Sequence, residues 1–231
     1  MKNYLLIGGS YGIGRALAEE LAQTGIVTIA SRTWEGPLPE NMAHIRFDSA
    51  TDDLDLSLLP DTVDGFAYLP GSITLRPFKS CAATDFEDAM KINFHDMVRV
   101  LQKILPRLVA SGAGSVVLFS TVAATQGMPF HTIVSAAKGA VEGFAIALAA
   151  ELAPSVRVNV VAPSLTATAL SQKFLDTPSK QERAAARHPM QRFGTPEDIA
   201  SAAAFLMTGA SGWVTGQVLR VDGGLSTLKT P

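Results

Sequence analysis

The stretch Tyr4-Leu5-Leu6-Ile7-Gly8-Gly9-Ser10-Tyr11-Gly12-Ile13-Gly14 decides the fold of this chain. Its first four residues predict a buried β-strand, and the glycines that follow predict a tight turn. A helix comes next, with Ile13, Leu17 and Leu21 on one face, and Ile26 to Ala30 forms a second apolar run. Strand, glycine turn, helix and strand together predict a βαβ unit.

The same alternation continues to the end of the chain. Gly25 is expected to end the first helix at its C′ position. Residues 33–44 show no helical period, and residues 53–59 allow only a short helix. Because apolar strands alternate with helices, we predict an α/β fold, a single Rossmann-type doubly wound parallel sheet of about seven strands with helices on both faces. The remaining strands are predicted at Ala43 to Phe47, Val63 to Leu69, Ser115 to Phe119, Val156 to Val161 and Gln217 to Val221.

Two of the predicted helices carry a polar residue where an apolar one is expected. Thr84-Asp85-Phe86-Glu87 predicts a capping box that opens a long helix, and Asn93 lies on the apolar stripe of that helix. A buried amide needs partners, so Asn93 either braces a neighbouring backbone or holds a water at a site. The second helix, His131 to Leu152, is apolar nearly all round, which predicts burial on most sides. Lys138 near its start should therefore have a partner or a functional role.

Composition excludes several classes of function. The net charge is -2 over 231 residues, and no basic block is present, so nucleic acid and anionic membranes are not expected partners. The single Cys81 permits no internal disulfide, which favours a reducing cytoplasm. The first apolar run is too short for a signal peptide, and no charge-free apolar run reaches membrane-spanning length. No metal site is expected.

The glycine turn and the end of the second strand suggest a dinucleotide site. Glycines 8, 12 and 14 let backbone N–H groups approach a pyrophosphate at a helix N-terminus, although a plain tight turn would use them too. Arg32 follows the second strand, where an arginine accepts the 2′-phosphate of NADP and an acidic residue would select NAD. Arg32 is also compatible with an ordinary solvated surface charge. We therefore expect NADP rather than NAD.

Polar and small residues recur at the carboxyl ends of the predicted strands. Asp48, Gly71, Ser120-Thr121 and Pro163 to Thr168 each follow an apolar run. Ligands of open parallel sheets bind beyond this edge, so these residues and the glycine turn should line one site.

At this point the chain resembles the short-chain dehydrogenase/reductase family over Tyr4 to Gly224. The motifs that carry the resemblance are spread along the whole chain: Gly8/Gly12/Gly14, Asp48, Asn93, Thr121 at the family's serine position, Lys138, Pro163/Thr168, Arg192 to Asp198, and Gly216-Gln217 with Asp222-Gly223-Gly224.

The resemblance implies an NADP(H) site and a hydride transfer between the nicotinamide and a carbonyl or alcohol. It places Gly8 to Ile13 at the pyrophosphate, Arg32 at the 2′-phosphate, and Asp48 at the adenine. Asn93 and Lys138 would flank the nicotinamide ribose. The complete predicted cofactor site consists of Gly8, Ser10, Tyr11, Gly12, Ile13, Gly14, Ser31, Arg32, Asp48, Ser49, Pro70, Gly71, Lys138, Pro163, Thr166 and Thr168, the last of these reaching the carboxamide.

The chain departs from the family at the proton donor. The family pattern is Tyr-x-x-x-Lys with a serine thirteen positions before the tyrosine, and counting back from Lys138 places Val134 and Thr121 at these positions. Thr121 keeps a hydroxyl that can polarise a carbonyl. His131, one turn before Val134, is the first candidate for the missing donor, although it also fits an ordinary helix-start residue. Tyr68 and water are the other candidates.

Two smaller departures concern the loops. Tyr68-Leu69-Pro70-Gly71 stands where the family has Asn-Asn-Ala-Gly, and Ser164 replaces the glycine after Pro163. The predicted catalytic residues are accordingly Thr121, Lys138, Asn93 and His131.

The predicted function is an NADP(H)-dependent oxidoreductase acting on a small carbonyl or alcohol substrate with an altered proton donor. Two alternatives stay open: an NADP(H)-binding sensor or partner without hydride transfer, and a dehydratase or isomerase that retains the cofactor. Residues 1–231 are expected to form one domain, with a mobile substrate flap at about 168–190. By resemblance, the helices of Asn93 and Lys138 would pair in a homodimer or homotetramer.

Overall fold

The computed structural model describes residues 1–229, and these residues form one parallel sheet with helices on both faces. The sheet runs β3-β2-β1-β4-β5-β6-β7, where the strands are β1 Lys2–Ile7, β2 Gly25–Ser31, β3 Met42–Arg46, β4 Gly65–Tyr68, β5 Gly114–Phe119, β6 Val156–Pro163 and β7 Val218–Val221. The predicted doubly wound α/β fold is confirmed, and each predicted strand is present within two residues at either end.

The helices cover the two faces of this sheet and carry the two halves of the core. They are α1 Gly12–Leu21, α2 Ala83–Met90, α3 Asp96–Ala110, α4 Thr132–Leu152, α5 Pro178–Ala186 and α6 Pro196–Met207, with short 3-10 turns at Leu56–Leu58, Phe78–Ser80, Val122–Ala124, Ala169–Phe174 and Gly209–Ser211. One face buries Leu17 of α1 and Ile199 of α6, whereas the other buries Ile104 of α3 and Val141 of α4. Since β1 alternates, Leu6 belongs to the first face and Leu5 to the second.

Two local predictions were wrong. Gly25 does not cap α1, because that helix ends at Leu21 and Gly25 opens β2; a Cβ there would lie 2.6 Å from the Tyr4 ring, so close packing explains this glycine. The next helix begins at Ala83, and the Asp85 carboxylate accepts from the Ala82 N–H at 2.8 Å, so the predicted capping box starting at Thr84 is not formed. The prediction that residues 53–59 allow only a short helix is confirmed, because this region contains the 3-10 turn Leu56–Leu58.

The sequence predicted that helix α4 is buried on most sides, but the structure buries it along one stripe only. Val141, Ala145 and Ala149 pack on the sheet, whereas Ile146 is 53% exposed. The helix has the length and the mean hydropathy, 1.5, of a membrane-spanning segment, although Lys138 lies within it. Its packing against β5 and β6 is what the core helix of a parallel sheet shows. The absence of a membrane partner stays a prediction.

Candidate active site

A large cavity follows the carboxyl ends of the strands. Ile7 of β1 is level with Ala30 of β2 and Tyr68 of β4, and Tyr68 is level with Leu118 of β5. The segments that follow these strands therefore open onto one edge of the sheet, where they line a cavity of about 930 Å³. All the residues predicted for the cofactor and for catalysis line it, so the predicted convergence at this edge is confirmed. Their individual roles stay predictions.

The glycine turn between β1 and α1 has the shape of an anion cradle. Gly8 and Gly12 have φ angles of +82° and +56°, which a residue with a side chain rarely adopts. A Cβ on Gly14 would lie 2.4 Å from the Gly8 carbonyl oxygen, so the helix can approach the turn only with glycine there. Tyr11, the N-cap of α1, makes no capping hydrogen bond through its side chain. The helix N-terminus therefore keeps backbone N–H groups and a positive dipole end for a phosphate.

The opposite end of the cavity lies beyond β2 and β3 and has the polar character that an adenosine needs. Arg32 is exposed at the rim. The Ser31 hydroxyl donates to the Thr33 carbonyl at 2.8 Å, and this hydrogen bond stabilises the backbone after β2. The Asp48 carboxylate accepts from the Ala50 N–H at 3.0 Å, which fixes the loop after β3. Arg32 is therefore the cation that this end offers to a phosphate.

Asn93 is held at the cavity by a break in the helix that the sequence did not predict. Lys91–His95 form a π-helical turn between α2 and α3, a feature that often marks functional sites. The Asn93 amide is 1% exposed; its nitrogen donates to the Ala89 carbonyl at 2.9 Å and to the Ser72 hydroxyl at 3.1 Å. Its oxygen accepts from the Ser72 N–H at 3.3 Å. Asn93 thus braces the loop after β4, which is one of its two predicted roles.

Lys138 faces the cavity across from Asn93. A Cβ on Gly71 would lie 2.9 Å from the Asn93 amide oxygen and 3.4 Å from the Lys138 ammonium, so only glycine leaves both groups accessible. Burial lowers the pKa of Lys138 from 10.5 to about 8. Within residues 1–229 no carboxylate lies within ion-pairing distance of this ammonium. A partly desolvated cation without a counter-ion is typical of a binding site, and a ligand would restore its charge.

The residues around Val134, the predicted tyrosine position, keep part of the expected chemistry. The Thr121 hydroxyl accepts from the Ala123 N–H at 3.3 Å, which leaves its proton available for a carbonyl oxygen. Val134 is 4% exposed, and its apolar side chain lines the cavity one turn before Lys138. His131 lies one turn earlier on α4, where its Nδ1–H donates to the Pro129 carbonyl at 2.7 Å. That contact leaves Nε2 as the nitrogen that can exchange a proton with a ligand.

Tyr68 is not a proton donor to this site, contrary to the second candidate from the sequence. Its side chain belongs to the buried cluster under α3 and does not line the cavity. The phenol donates to the Ser49 hydroxyl at 3.2 Å, and burial raises its pKa to about 12. The alternation of side chains along β4 turns Tyr68 away from the cavity.

The end of β6 brings together two residues whose contact the sequence did not suggest. Ser164, which replaces the family glycine, donates its hydroxyl to Nε2 of His188 at 2.9 Å when the Nδ1–H of that ring donates to the Ala184 carbonyl at 2.7 Å. His188 is 3% exposed. Thr168 comes close to the glycine turn, since a Cβ on Gly12 would lie 3.3 Å from its methyl group. The loop after β6 thus extends from the glycine turn to His188, which follows α5.

The predicted flap closes the substrate end. The 3-10 turn Ala169–Phe174 and helix α5 line the cavity opposite Thr121 and Lys138, and the Lys173 ammonium donates to the Ile73 carbonyl at 3.4 Å. Pro178 does not interrupt this segment but begins α5, where the Thr177 hydroxyl caps the Lys180 N–H at 3.3 Å. Its mobility stays a prediction.

Comparison with known proteins gives consistent matches over the whole chain. A family profile described as enoyl-(acyl carrier protein) reductase matches residues 58–226. A tropinone reductase homologue from Arabidopsis thaliana is 32% identical over 97% of this chain and 91% of its own length. Among solved structures, one from Brucella melitensis is described as a short-chain dehydrogenase/reductase and glucose/ribitol dehydrogenase. It superposes with a TM-score of 0.87 at 27% identity, and the match covers 98% of this chain and 97% of that one. The structure of ElxO with NADP bound has a TM-score of 0.88 at 25% identity, covering 98% and 99%.

Proposed function

Because this chain belongs to the short-chain dehydrogenase/reductase family of NAD(P)-dependent oxidoreductases, we propose that it is an NADP(H)-dependent enzyme that interconverts a small carbonyl compound and its alcohol. The observation that carries this proposal is the cavity itself. Along one sheet edge, it joins a glycine cradle that could hold phosphates to the Thr121 hydroxyl and to the Lys138 ammonium, which has no ion-pair partner within residues 1–229. A structure of the related ElxO with NADP bound supports the choice of cofactor.

The residues of the cavity fit the cofactor at three points. The Gly8 to Gly14 turn would hold the pyrophosphate, because Gly14 has no room for a Cβ and the α1 N-terminus keeps its N–H groups. Arg32 would pair with the 2′-phosphate. Lys138 would bind the ribose hydroxyls, which would provide the polar contacts its ammonium lacks among residues 1–229. When bound, NADP(H) would supply or accept the hydride.

The protein's own part in the reaction is to polarise the carbonyl and to provide a proton. The Thr121 hydroxyl would donate a hydrogen bond to the carbonyl oxygen, which stabilises the negative charge that develops there. We propose that Nε2 of His131 supplies the proton, since Val134 cannot and Tyr68 faces elsewhere. Imidazole exchanges protons near neutral pH, and the Pro129 carbonyl would stabilise the protonated ring through Nδ1–H.

The decisive experiment measures binding and turnover separately. Calorimetry with NADPH and NADH tests the cofactor site, and loss of nicotinamide absorbance with a panel of ketones, aldehydes and enones tests the chemistry. Arg32→Asp should weaken NADPH much more than NADH. His131→Ala should lower turnover by about 10²–10⁴-fold if this side chain is the general acid.

A matched histidine provides the control. His95 is exposed and lies outside the cavity, so His95→Ala should leave both binding and turnover unchanged. Full turnover in His131→Ala would remove His131 from the mechanism. No heat with either cofactor would overturn the proposed function as a whole.

A second candidate function is binding of NADP(H) without hydride transfer, as a sensor or partner. The observation that favours it is the apolar, 4% exposed side chain of Val134 in the cavity, at the position that the resemblance assigns to the family's proton donor. This candidate predicts tight NADPH binding and no turnover on the whole panel. Retention of NADPH with conversion of substrate but no net oxidation would instead indicate a dehydratase or isomerase.

We further propose that the protein acts in the cytoplasm as a homodimer or tetramer paired through α4. A Cβ on Gly139 or Gly143 would meet nothing within 4 Å in the chain, so packing within the subunit does not require these glycines. Together with the exposed Ile146 they form a face on which a second α4 could approach closely. Light scattering tests the assembly: Gly143→Gln should shift it towards monomer, and a monomeric unmodified protein would exclude it.

A further inference from the structure

We propose that the substrate of this site carries an anionic group, a carboxylate or a phosphate, which is bound by a cationic rim on the flap. The rim consists of Lys173, Lys180, Arg183 and Arg187, all of which line the substrate end of the cavity. This inference rests on the proposed function and adds a substrate class to it.

Three of the four rim residues lie on α5 or at its C-cap, and their spacing places them on the face of the helix that lines the cavity. Positions 180, 183 and 187 are three and four residues apart, so they share one face of the helix with Ala184, which is 5% exposed and packs inward. The acidic Glu182 lies off this face, is exposed and does not line the cavity. The helix therefore presents its positive charges to the cavity and its carboxylate to solvent.

No carboxylate of the described chain balances these charges inside the substrate end. The lining carboxylates within residues 1–229 are Asp48 and Asp96. Asp96 pairs with Lys91 at 3.0 Å, and Lys91 in turn donates to the Ala50 carbonyl at 3.2 Å, two residues after Asp48. Both acids therefore lie at the adenosine end, and the substrate end of the cavity is electropositive.

Most of the rim cations are available to a ligand. Lys180 pairs with Asp176 at 2.7 Å, whereas no carboxylate of residues 1–229 lies within 4 Å of Lys173, Arg183 or Arg187. Within residues 1–229, the Lys173 and Arg183 side chains donate hydrogen bonds only to neutral carbonyls, at 3.4 Å and 3.3 Å, and the Lys173 ammonium also lies 5.0 Å from the centre of the Phe174 ring. A guanidinium with free donors binds carboxylate and phosphate in the same bidentate geometry, so either group would fit Arg183 or Arg187.

The same cations could instead bind the phosphates of the cofactor, and the experiment must separate these two sources of negative charge. The protein saturated with NADPH is titrated by calorimetry with three probes of similar shape: benzoate, phenyl phosphate and the neutral methyl benzoate. Each titration is repeated with Arg183→Gln, Arg187→Gln and the control Lys79→Gln. Lys79 is exposed and outside the cavity, so this control removes a charge without touching the rim.

We expect benzoate or phenyl phosphate to bind more tightly than methyl benzoate, and each arginine variant to weaken the anion by about tenfold. The affinities for methyl benzoate and for NADPH should be the same in the arginine variants as in the original protein, and Lys79→Gln should leave the affinities for all three probes unchanged. Added salt should weaken the binding of the two anionic probes but not that of methyl benzoate. Equal affinities for the neutral and anionic probes would overturn the inference. So would arginine variants that weaken NADPH instead of the probe.

A failure of the proposed function would look different. If NADPH does not bind at all, the probes are titrated into the protein alone. Anion binding that depends on Arg183 and Arg187 would then support the cationic subsite while the proposed function is lost, and no preference for anions would overturn both.

Discussion

Replacing Val134 with tyrosine should convert the cavity into a more effective carbonyl reductase. The position is one helical turn before Lys138, lines the cavity and faces the same pocket as the Thr121 hydroxyl. A positioned general acid contributes about 10²–10⁴-fold in rate, which corresponds to about 3–5 kcal/mol of activation free energy. The nearby ammonium would favour ionisation of the new phenol and so strengthen it as an acid.

We expect the increase in the rate of reduction to be accompanied by a loss of stability. Val134 is 4% exposed, so its Cβ and the first ring atoms must fit among buried neighbours, and overpacking of this kind costs about 1–3 kcal/mol. The outer part of the ring can extend into the cavity. We therefore expect a modest loss in the free energy of unfolding together with a gain in kcat.

The assay follows NADPH oxidation with the best carbonyl of the panel for the original protein and two variants, Val134→Tyr and Val134→Phe. Phenylalanine supplies the same ring without the hydroxyl, so the ratio of the two rates isolates the proton donor. A ratio near the lower end of the expected range would still support a complete site around Thr121 and Lys138. If both variants fold and bind NADPH but reduce at the same rate, the reasoning about this site is refuted.

Three further predictions concern stability and the cofactor cradle. Since the Lys138 pKa in the folded protein, about 8, lies below its ordinary 10.5, the penalty for burying its charge is full below pH 8 and vanishes as pH rises past 10.5. Lys138→Met should therefore raise the unfolding free energy of the cofactor-free protein by about 1–3 kcal/mol at pH 7 and by little above pH 10, as measured by urea unfolding; equal gains at both pH values would contradict the burial argument. Gly14→Ala places a Cβ 2.4 Å from the Gly8 oxygen and should weaken NADPH by about tenfold or more, while Gly139→Ala, with nothing within 4 Å, should not; equal effects in calorimetry would count against the cradle. Tyr68→Phe should leave turnover within about twofold while unfolding becomes easier by about 0.5–1.5 kcal/mol, because only the hydrogen bonds of the phenol to the Ser49 hydroxyl and the Ile92 carbonyl are lost; a turnover defect as large as that of a lost general acid would restore Tyr68 as a donor.

The sequence predicted which residues line the cavity better than it predicted how their side chains contact one another. The glycine turn, Thr121 and Lys138 are recognisable because each stands at a strand end or a helix start, and such positions follow from local apolar patterns. Tyr68 was misjudged because a one-residue change of position in a strand moves a side chain to the opposite face. The bounds of β4, Gly65–Tyr68, were too uncertain in the predicted run of residues 63–69 to decide that face.

Other features were missed for reasons that lie in the helices. The π-helical turn at Asn93 could not be read from the apolar stripe, because one extra residue per turn changes the register without changing composition. The cationic face of α5 did leave a signal, the spacing of Lys180, Arg183 and Arg187. It was overlooked because the segment was interpreted only as a mobile substrate flap.

The sequence by itself determined the parallel sheet, the glycine turn and the lysine at the cavity, because all of these depend on residue identity and short-range periodicity. The assignment of Val134 to the family's tyrosine position stays a prediction from the same sequence. Only the tertiary structure decided which side chains meet across the cavity. The hydrogen bond of Ser164 with His188 and the position of Asn93 and Lys138 on either side of Gly71 join segments distant in sequence. The flap cations Lys173, Arg183 and Arg187 likewise reach the cavity without a carboxylate within 4 Å among residues 1–229. Such contacts depend on how the helices pack on the sheet, and local propensity carries no record of that packing.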